Sequence, residues 1–476
     1  MPPQPPKKRR PWLWLIPLVV VVVAAAITVP ILLSGGSPSA QSGQNGPSPS
    51  PAKPLQSWQV SAQKLGAYTE GLGVRVYGGD LLMVTDSAVT AFDRATGRQD
   101  WVLTPPQGNN FCALSRNIAN DRLALGFGAS DDRTGVHCLS IGLVDLKAHS
   151  FAWSVPVPQF KTDWGDPSGQ GLVLAGGYLY AGGLEVFVRL SLSDGTIEPL
   201  APTAAFQAGH DDDCSVMDVG ADATTVYTVS RCLGTGASYS LVLGLDPGTG
   251  NVRVSNRIQA ADVKMPMDAS SRTGLSDAQF VSLSPTVLAL YGKGQQALAR
   301  LDDSLKVSWA SVVQQGAIDF GGDTGALPNG NHQFNRAFVS DGLLFGVSAS
   351  EKTKENQVVA LDVNSGRQRW AATVPGDSMC DPVGVDGNAL LVAGSQLQTG
   401  GINNPATVLA KIDVGSGKVL SAKPQSNPVE GAASGVTLPA NEVMAYLAWV
   451  VADGRVYGGF QHKVLLPGDP VVFSLG

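Results

Sequence analysis

Charged residues are scarce in this sequence: they make up 15% of its 476 residues, and the formal net charge is −6. Four basic residues lie together between Lys7 and Arg10, so the remainder of the chain is more acidic than the total suggests. A surface of that sign repels phosphate backbones, which argues against nucleic-acid binding. Hydrophobic residues reach 43%, enough for a large core and too many for a disordered chain.

Residues that ligate metals are also few and scattered. The five histidines have no metal-ligand spacing, and none of the five cysteines is followed closely by another cysteine or a histidine. The most acidic stretch, His210 to Asp213, lacks the alternating Asp spacing and the glycine of a calcium loop. An ordinary solvated connection explains it better. The sequence therefore predicts no metal site and no catalytic residues.

One segment near the N-terminus is long and apolar. Trp12 to Leu33 carry no charge, and a helix rising about 1.5 Å per residue would let them cross a bilayer. The basic cluster precedes this run directly, so the positive-inside rule predicts a cytoplasmic tail (1–11) and an exported remainder. A cleaved signal peptide is the alternative, but its apolar region would be unusually long and Pro38-Ser39-Ala40 is a poor cleavage site. We expect an uncleaved single-pass anchor (12–33) in the cytoplasmic membrane.

A polar segment follows this predicted anchor. Positions 34–56 consist mostly of Gly, Pro and Ser, a composition that has little to bury and behaves as a flexible tether. The folded domain is therefore expected to occupy 57–476.

The rest of the chain repeats a turn in which Asp is followed by Gly, often with a Trp in the next strand. In such a turn the Asp carboxylate caps local amides, and Gly takes the positive-φ position that closes the hairpin. The clearest copies are Ala91–Gly97 with Trp101 and Leu361–Gly366 with Trp370. The turn positions are Asp93, Gly97, Asp145, Asp246, Gly250, Asp302, Asp362, Gly366, Asp413 and Gly417, with a weaker copy at Ser191.

A second element, a short apolar strand after a turn, occurs eight times between Leu81 and Tyr457, against seven Asp turns. The last unit ends near Val471–Ser474 without a Trp strand, and Ser57–Ser61 at the domain start resembles the missing one. A repeat of about 53 residues also fits eight units better than seven. We predict an all-β, eight-bladed β-propeller in which the terminal strands complete one blade.

This repeat resembles the PQQ-like (quinoprotein-type) propeller repeat, and the resemblance covers essentially all of 57–476. Among its non-enzymatic members the chain resembles the BamB-like propellers, scaffolds of outer-membrane assembly. Enzymatic members use an adjacent cysteine pair against the cofactor and calcium beside a catalytic Asp. This sequence has no Cys-Cys pair, so the resemblance implies neither bound PQQ nor another cofactor, and no dehydrogenase activity.

The cysteines follow the repeat. Cys112, Cys214 and Cys380 lie at nearly equal distances before their Asp turns, so we expect them at one structural position. Cys138 and Cys232 fall near the connection between the second and third strands of the first two of those blades. In-blade disulfides Cys112–Cys138 and Cys214–Cys232 are predicted. Cys380 is expected to be either a buried remnant or a reactive or intermolecular thiol.

Connections between blades differ sharply in length. The longest lie within Ile258–Gln279, Val313–Gln333 and Lys423–Asn441, and a shorter one is Gln159–Gln170. Loops on a rigid scaffold commonly carry binding residues. The candidate apolar anchors for a partner are Trp164, Met265, Met267 and Phe320. The alternative is that these side chains fold back over their own blades.

The function predicted from these features is a non-catalytic, membrane-tethered scaffold or sensor outside the cytoplasm. Its expected partner is a protein or a cell-envelope polymer, bound through the rim loops. Two alternatives remain open. One is a small ligand in the central channel, and the weaker one is an oxidoreductase of the PQQ type.

Overall fold

The computed structural model describes residues 58–61, 69–106, 108–131, 135–136, 138–157, 171–182, 187–198, 200, 213–233, 238–265, 274–275, 277–292, 295–313, 337–349, 356–374, 379–396, 406–424, 447–460, 464–465 and 470–475. The chain divides into two units, Met1–Lys53 and Pro54–Gly476, and every described residue belongs to the second. The predicted tail, anchor and linker therefore lie outside the described residues. In the part that is described, no helix is long and apolar enough to cross a membrane.

Within these ranges the regular structure consists of short β-strands. The strands are β1 (Gln59–Ser61), β2 (Thr69–Tyr77), β3 (Asp80–Thr85), β4 (Val89–Asp93), β5 (Gln99–Leu103), β6 (Asn110–Leu114), β7 (Arg122–Gly128), β8 (Ser130–Asp131), β9 (Gly135–Val136), β10 (Ser140–Asp145), β11 (Ser150–Pro156), β12 (Leu172–Ala175), β13 (Tyr178–Gly182), β14 (Phe187–Ser191), β15 (Ile197–Glu198), β16 (Asp213–Ala221), β17 (Val226–Leu233), β18 (Ser238–Leu245), β19 (Val252–Ile258), β20 (Asp277–Leu283), β21 (Thr286–Gly292), β22 (Gln295–Leu301), β23 (Val307–Val313), β24 (Phe338–Ser340), β25 (Leu343–Ala349), β26 (Asn356–Asp362), β27 (Gln368–Thr373), β28 (Met379–Asp386), β29 (Ala389–Gln396), β30 (Ala406–Asp413), β31 (Val419–Pro424), β32 (Leu447–Ala452), β33 (Arg455–Phe460), β34 (Val464–Leu465) and β35 (Pro470–Leu475).

These strands form eight antiparallel sheets, called here blades 1 to 8 in chain order. Blade 1 and blades 3 to 7 each use four consecutive strands: β2–β5, β12–β15, β16–β19, β20–β23, β24–β27 and β28–β31. Blade 2 comprises β6, β7, β10 and β11, and the hairpin β8–β9 lies between its second and third strands. Blade 8 comprises β32, β33, β35 and β1.

The blades follow one another around a closed ring. The first strands of neighbouring blades contact each other, and β2 of blade 1 also contacts β32 of blade 8. First strands are therefore innermost and surround the axis. Fourth strands such as β11 and β19 alternate between exposed and half-buried residues, as expected for the outer surface. The predicted all-β, eight-bladed propeller is confirmed.

The ring has two ends with different connections. At one end, the turn rim, lie the connections from first to second and from third to fourth strand, most of them short. At the other end, the loop rim, lie the connections from second to third strand and from each blade to the next. The longest connections between described strands join one blade to the next, namely 259–276, 314–337 and 425–446. The two rims therefore differ in how much chain they carry.

Both ends of the domain contribute to blade 8. Gln59 pairs with Phe473 and Val60 with Val472, so β1 is the fourth strand of that blade, as predicted for Ser57–Ser61. A second link crosses the same seam, because β34 pairs with Thr69 and Glu70 at the start of β2. The strand β1 from the start of the domain thus completes blade 8, and the pairing of β34 with β2 joins blade 8 to blade 1.

At four seams, a repeated tryptophan forms a hydrogen bond to the next blade. Trp58, Trp153, Trp309 and Trp370 donate their indole N–H to backbone oxygens of the following blade, at Arg94 (2.9 Å), Leu192 (3.0 Å), Val363 (2.7 Å) and Val414 (2.8 Å) respectively. Each indole lies over the turn glycine of that blade, so an added Cβ would come within 2.5 to 2.8 Å of ring carbons. The sequence predicted a packing role for these tryptophans but not that the surface they cover belongs to the neighbouring blade.

Other residues replace this contact where the Trp–Gly pair is missing. Trp101 of blade 1 stacks on His149, with ring centroids 4.6 Å apart, because His149 takes the positive-φ position of the blade 2 turn. Arg189 Nη1 of blade 3 donates to Gly248 O at 3.0 Å, and Asn256 Nδ2 of blade 4 donates to Leu305 O at 2.9 Å. At these seams a side chain of one blade therefore contacts the turn between the third and fourth strands of the next blade, but the type of side chain differs from seam to seam.

The Asp turns behave as the repeat predicts. In the blade 6 turn, Asp362 Oδ1 accepts hydrogen bonds from the Asn364 and Ser365 amides and from the Ser365 hydroxyl, each 3.0 Å long. Hydrogen bonds from Arg369 and Ser365 hold the pKa of this carboxyl below its usual range. The turn glycines adopt φ between 66° and 76° at Gly97, Gly195, Gly250, Gly366 and Gly417.

Candidate functional site

The innermost strands are interrupted by a shift of register in five blades. The register shifts between Gly71 and Gly73, Phe111 and Ala113, Val216 and Asp218, Phe280 and Ser282, and Pro382 and Gly384. Each shift leaves one residue without a cross-strand partner, which is a β-bulge. Bulges change the direction of side chains and are common beside binding sites. The polar residues of the inner wall lie at and around these bulges.

A buried carboxylate on the inner wall, that of Asp218, connects three blades. Asp218 is 1% exposed, and its Oδ1 accepts hydrogen bonds from the Val219 amide at 2.8 Å and from the Arg116 guanidinium of blade 2. Its Oδ2 accepts the Phe280 amide of blade 5 at 2.8 Å. Burial raises the pKa of Asp218, while the Arg116 charge and the amides oppose the rise. Removing Arg116 would leave a buried, uncompensated charge.

Two further side chains extend this network to blades 1 and 3. Arg75 on β2 donates from Nε and Nη2 to Ser115 O of blade 2, at 3.0 and 2.9 Å. Asn117 pairs with both backbone groups of Leu174 in blade 3, each at 2.9 Å. Polar contacts at the inner wall therefore link blade 1 to blade 2, blade 2 to blades 3 and 4, and blade 4 to blade 5, alongside the apolar cores between the sheets.

A titratable carboxyl stands at the loop-rim end of this wall. Asp277 is the first residue of β20, and its pKa is raised to about 6, first by burial and next by the Asp218 charge. The Ala278 amide and the Arg231 charge oppose the rise. The Gln279 side chain is 5% exposed, and its Oε1 has no hydrogen-bond partner in the described part of the chain. With a pKa of about 6, the Asp277 carboxyl changes its charge near neutral pH, which is unusual for Asp.

The predicted disulfides are both present. Cys112 bonds to Cys138 and Cys214 to Cys232, with Cα–Cα distances of 5.8 and 4.0 Å. Cys112–Cys138 joins the first strand of blade 2 to the connection after its second strand, and Cys214–Cys232 joins the start of the first strand of blade 4 to the end of the second. Both disulfides therefore brace the loop rim. Gly126 lies against the first bond, where an added Cβ would be 2.9 Å from Cys138 Sγ.

The expectation that three cysteines share one position needs correction. Cys214 and Cys380 each lie three residues before the unpaired bulge residue, whereas Cys112 is itself the unpaired residue. Counting back to the Asp turn misplaced Cys112 because the connections of blade 2 are longer than those of blade 4. The connection from second to third strand, 129–139 against 234–237, differs most, and the first connection, 115–121 against 222–225, adds to the shift. Only Cys214 and Cys380 are equivalent.

Cys380 is 2% exposed and faces Gly394 across the strand pair, where Cys214 faces Cys232. This corresponds to the buried alternative of the two considered from sequence. A reactive thiol or an intermolecular bridge requires access that this position does not give.

The candidate partner anchors have different outcomes. Met265 is 5% exposed and packs in the core between blades 4 and 5 with Val263, Leu275 and Phe280, so it folds back over its own blade. Trp164, Met267 and Phe320, as well as the acidic stretch at 210–212, lie outside the described residues. Of the four candidate anchors, Met265 is the one described by the structure, and its burial argues against a role in binding a partner.

Sequence reasoning missed the inner-wall residues. Arg75, Arg116, Asp218 and Asp277 occur once each and do not recur from blade to blade, so the repeat did not single them out. One signal was available: Asp218 interrupts the otherwise apolar run Val216–Val219 in a first strand. A charged residue in such a run is buried only when it has partners.

No family model and no curated protein matches the chain. Among solved structures, it is similar to BamB from Moraxella catarrhalis, with 12% identity, a TM-score of 0.49, and coverage of 88% of this chain and 99% of that one. It is also similar to a quinohemoprotein alcohol dehydrogenase from Comamonas testosteroni, with 13% identity, a TM-score of 0.48, and coverage of 88% of this chain and 76% of that one. A europium-containing methanol dehydrogenase has 12% identity and a TM-score of 0.48, with coverage of 88% of this chain and 92% of that one.

Proposed function

We propose that this protein is a non-catalytic binding scaffold or sensor, anchored in the cytoplasmic membrane through 12–33, with its propeller outside the cytoplasm. In this proposal the loop rim binds the partner, a protein or a cell-envelope polymer. No metal or cofactor takes part.

The observation that carries this proposal is the inequality of the two rims. The turn rim consists mostly of short turns, several of them covered by a tryptophan of the preceding blade. The loop rim joins the same rigid blades through much longer stretches of chain, such as 259–276, 314–337 and 425–446. A rigid ring with long connections on one side is suited to binding through that side. The two disulfides brace the same rim.

The disulfides and the path of the chain support the proposed location. Disulfides persist in oxidising compartments and are rare in the cytosol, which agrees with an exported domain. Trp58 contacts Arg94 and Gly97 in a blade 1 turn, so β1 begins at the turn rim. The first described residue of the propeller therefore lies at the rim opposite the one that we propose binds the partner.

The use made of the polar residues favours binding over catalysis. Asp218 and Arg116 connect blades to one another, so their charges serve the ring itself. Four cysteines form disulfides, and none stands next to another in sequence as in the enzymatic PQQ-like propellers. Both facts support a scaffold more than a dehydrogenase.

Site-specific photocrosslinking in native membranes tests this proposal. A photoreactive amino acid replaces Leu233, which is 46% exposed at the loop-rim end of β17, in the full-length chain. The matched control places it at Ala95, which is exposed in a turn-rim connection. We expect a discrete adduct from position 233 that is lost when 425–446 is shortened, and none from position 95. Equal adducts from both positions, or none from position 233, would contradict loop-rim binding.

A further inference from the structure

An unbalanced positive charge lies on the inner wall near the turn rim. Arg75 is half-buried on β2, and in the described part of the chain it forms no ion pair. Its three hydrogen bonds go to backbone oxygens only, two to Ser115 O and one, of 2.8 Å, to Val74 O. A guanidinium removed from water without a carboxylate is costly, and neutral donors would serve the same carbonyls.

A second guanidinium stands beside the first. Arg75 binds the carbonyl of Ser115, and the next residue in the chain is Arg116. The pKa of Arg75 is lowered to about 10, first by burial and then by repulsion from Arg116, and among the described residues no carboxylate offsets these effects. Arg116 has Asp218 as its counterion, so the pair of arginines carries one positive charge in excess.

The remaining donors suit an oxygen anion. A guanidinium has five N–H groups, and the three hydrogen bonds that Arg75 donates within the described part of the chain use one hydrogen on each nitrogen. The second hydrogens of Nη1 and Nη2 are left, and the Arg116 side chain is 28% exposed beside them. Planar donor pairs of this kind recognise carboxylate and phosphate groups.

We propose that Arg75 and Arg116 form a binding site for an oxyanion, a phosphate or carboxylate group of a small ligand, on the inner wall between blades 1 and 2. Arg75 supplies the uncompensated charge and the free donors, and Asp218 holds Arg116 in place. The site lies toward the turn rim, so it is separate from the loop-rim contact proposed above and does not depend on it.

Calorimetric titration of the full-length protein tests this site, with inorganic phosphate and with succinate at constant ionic strength set by chloride. We expect saturable binding of one anion per chain for at least one of the two probes, which also distinguishes phosphate from carboxylate. In Arg75→Gln the affinity should fall at least tenfold. Arg369→Gln, which removes the same charge from an exposed outer strand, should bind like the unmodified protein. No saturable binding of either anion, or equal binding by Arg75→Gln, overturns the proposal.

A second measurement needs no variant, because Arg75→Gln also removes contacts to Ser115 and could weaken the fold. Crystals of the unmodified protein are soaked in selenate, whose position is found by anomalous scattering. Selenate within hydrogen-bond distance of Arg75 supports the site. An empty site at a concentration that saturates other exposed arginines overturns it.

Discussion

Replacing Gly417 with alanine tests whether the docked indole stabilises the seam between blades 6 and 7. Gly417 has φ of 72°, and an added Cβ would lie 2.7 to 2.9 Å from three atoms of the Trp370 ring. Gly387 in the same blade has φ of 57°, and its Cβ would meet nothing within 4 Å. The two substitutions therefore share the backbone penalty and differ in the collision with Trp370.

The expected magnitudes follow from these contacts. An L-residue in the left-handed region costs about 1 kcal/mol, and this is the whole cost expected for Gly387→Ala. In Gly417→Ala the indole must also move, which removes its 2.8 Å hydrogen bond to Val414 O, worth about 1 kcal/mol. Lost packing of a ring that is 8% exposed adds about 1 kcal/mol. We expect a total of about 3 kcal/mol for Gly417→Ala.

Urea unfolding followed by far-ultraviolet circular dichroism measures both variants. In a Trp370→Leu background the cost of Gly417→Ala should fall to about 1 kcal/mol, equal to that of Gly387→Ala. Equal costs for the two glycines in the native background would refute the docking argument. So would an undiminished cost of Gly417→Ala once the indole is absent.

Three further predictions concern other features of the ring. Because the folded-state pKa of Asp277 is raised to about 6, the stability linked to its protonation is present below its unfolded pKa near 4 and is lost as pH rises to about 6. Asp277→Asn should therefore raise the melting temperature at pH 8 but not at pH 4, in scans at the two pH values. Replacing Cys214 and Cys232 by serine opens a link of 18 residues and should cost about 3 kcal/mol in urea unfolding, and a cost near zero contradicts its bracing role. A chain starting at 62 lacks β1 and should melt well below one starting at 54, and equal melting temperatures would show that β1 does not close the ring.

The sequence predicted the parts of the fold that repeat. Each copy of the Asp turn is weak alone, but together the copies set the number of blades and left one strand to be supplied by Ser57–Ser61. The disulfide pairs were predictable for the same reason, since strand order places their cysteines at one rim. The position of Cys112 was not predictable. Longer connections in blade 2, chiefly the one that contains the hairpin β8–β9, moved Cys112 relative to the bulge although its distance in sequence from the Asp turn is nearly the same.

The inner wall could not be read from the same pattern. Arg75 and Asp218 act through residues in other blades, and those contacts depend on how far each first strand reaches around the axis. Such distances come from three-dimensional packing and leave no trace in sequence spacing. The tryptophan contacts were intermediate: the residue recurred visibly, but its partner was in the next blade and only the assembled ring shows it.

The pairing of Gln59 with Phe473 also sets an order of events during synthesis. Among the described strands, β1 is made first and its partner β35 is made last, so β1 waits unpaired while the strands of blades 1 to 7 are synthesised. Until then the indole of Trp58 and the apolar face of blade 1 are exposed to other chains. Completion of the ring thus depends on arrival of the last strand, and a chain stalled before that point presents an open edge that quality-control proteases and chaperones can recognise.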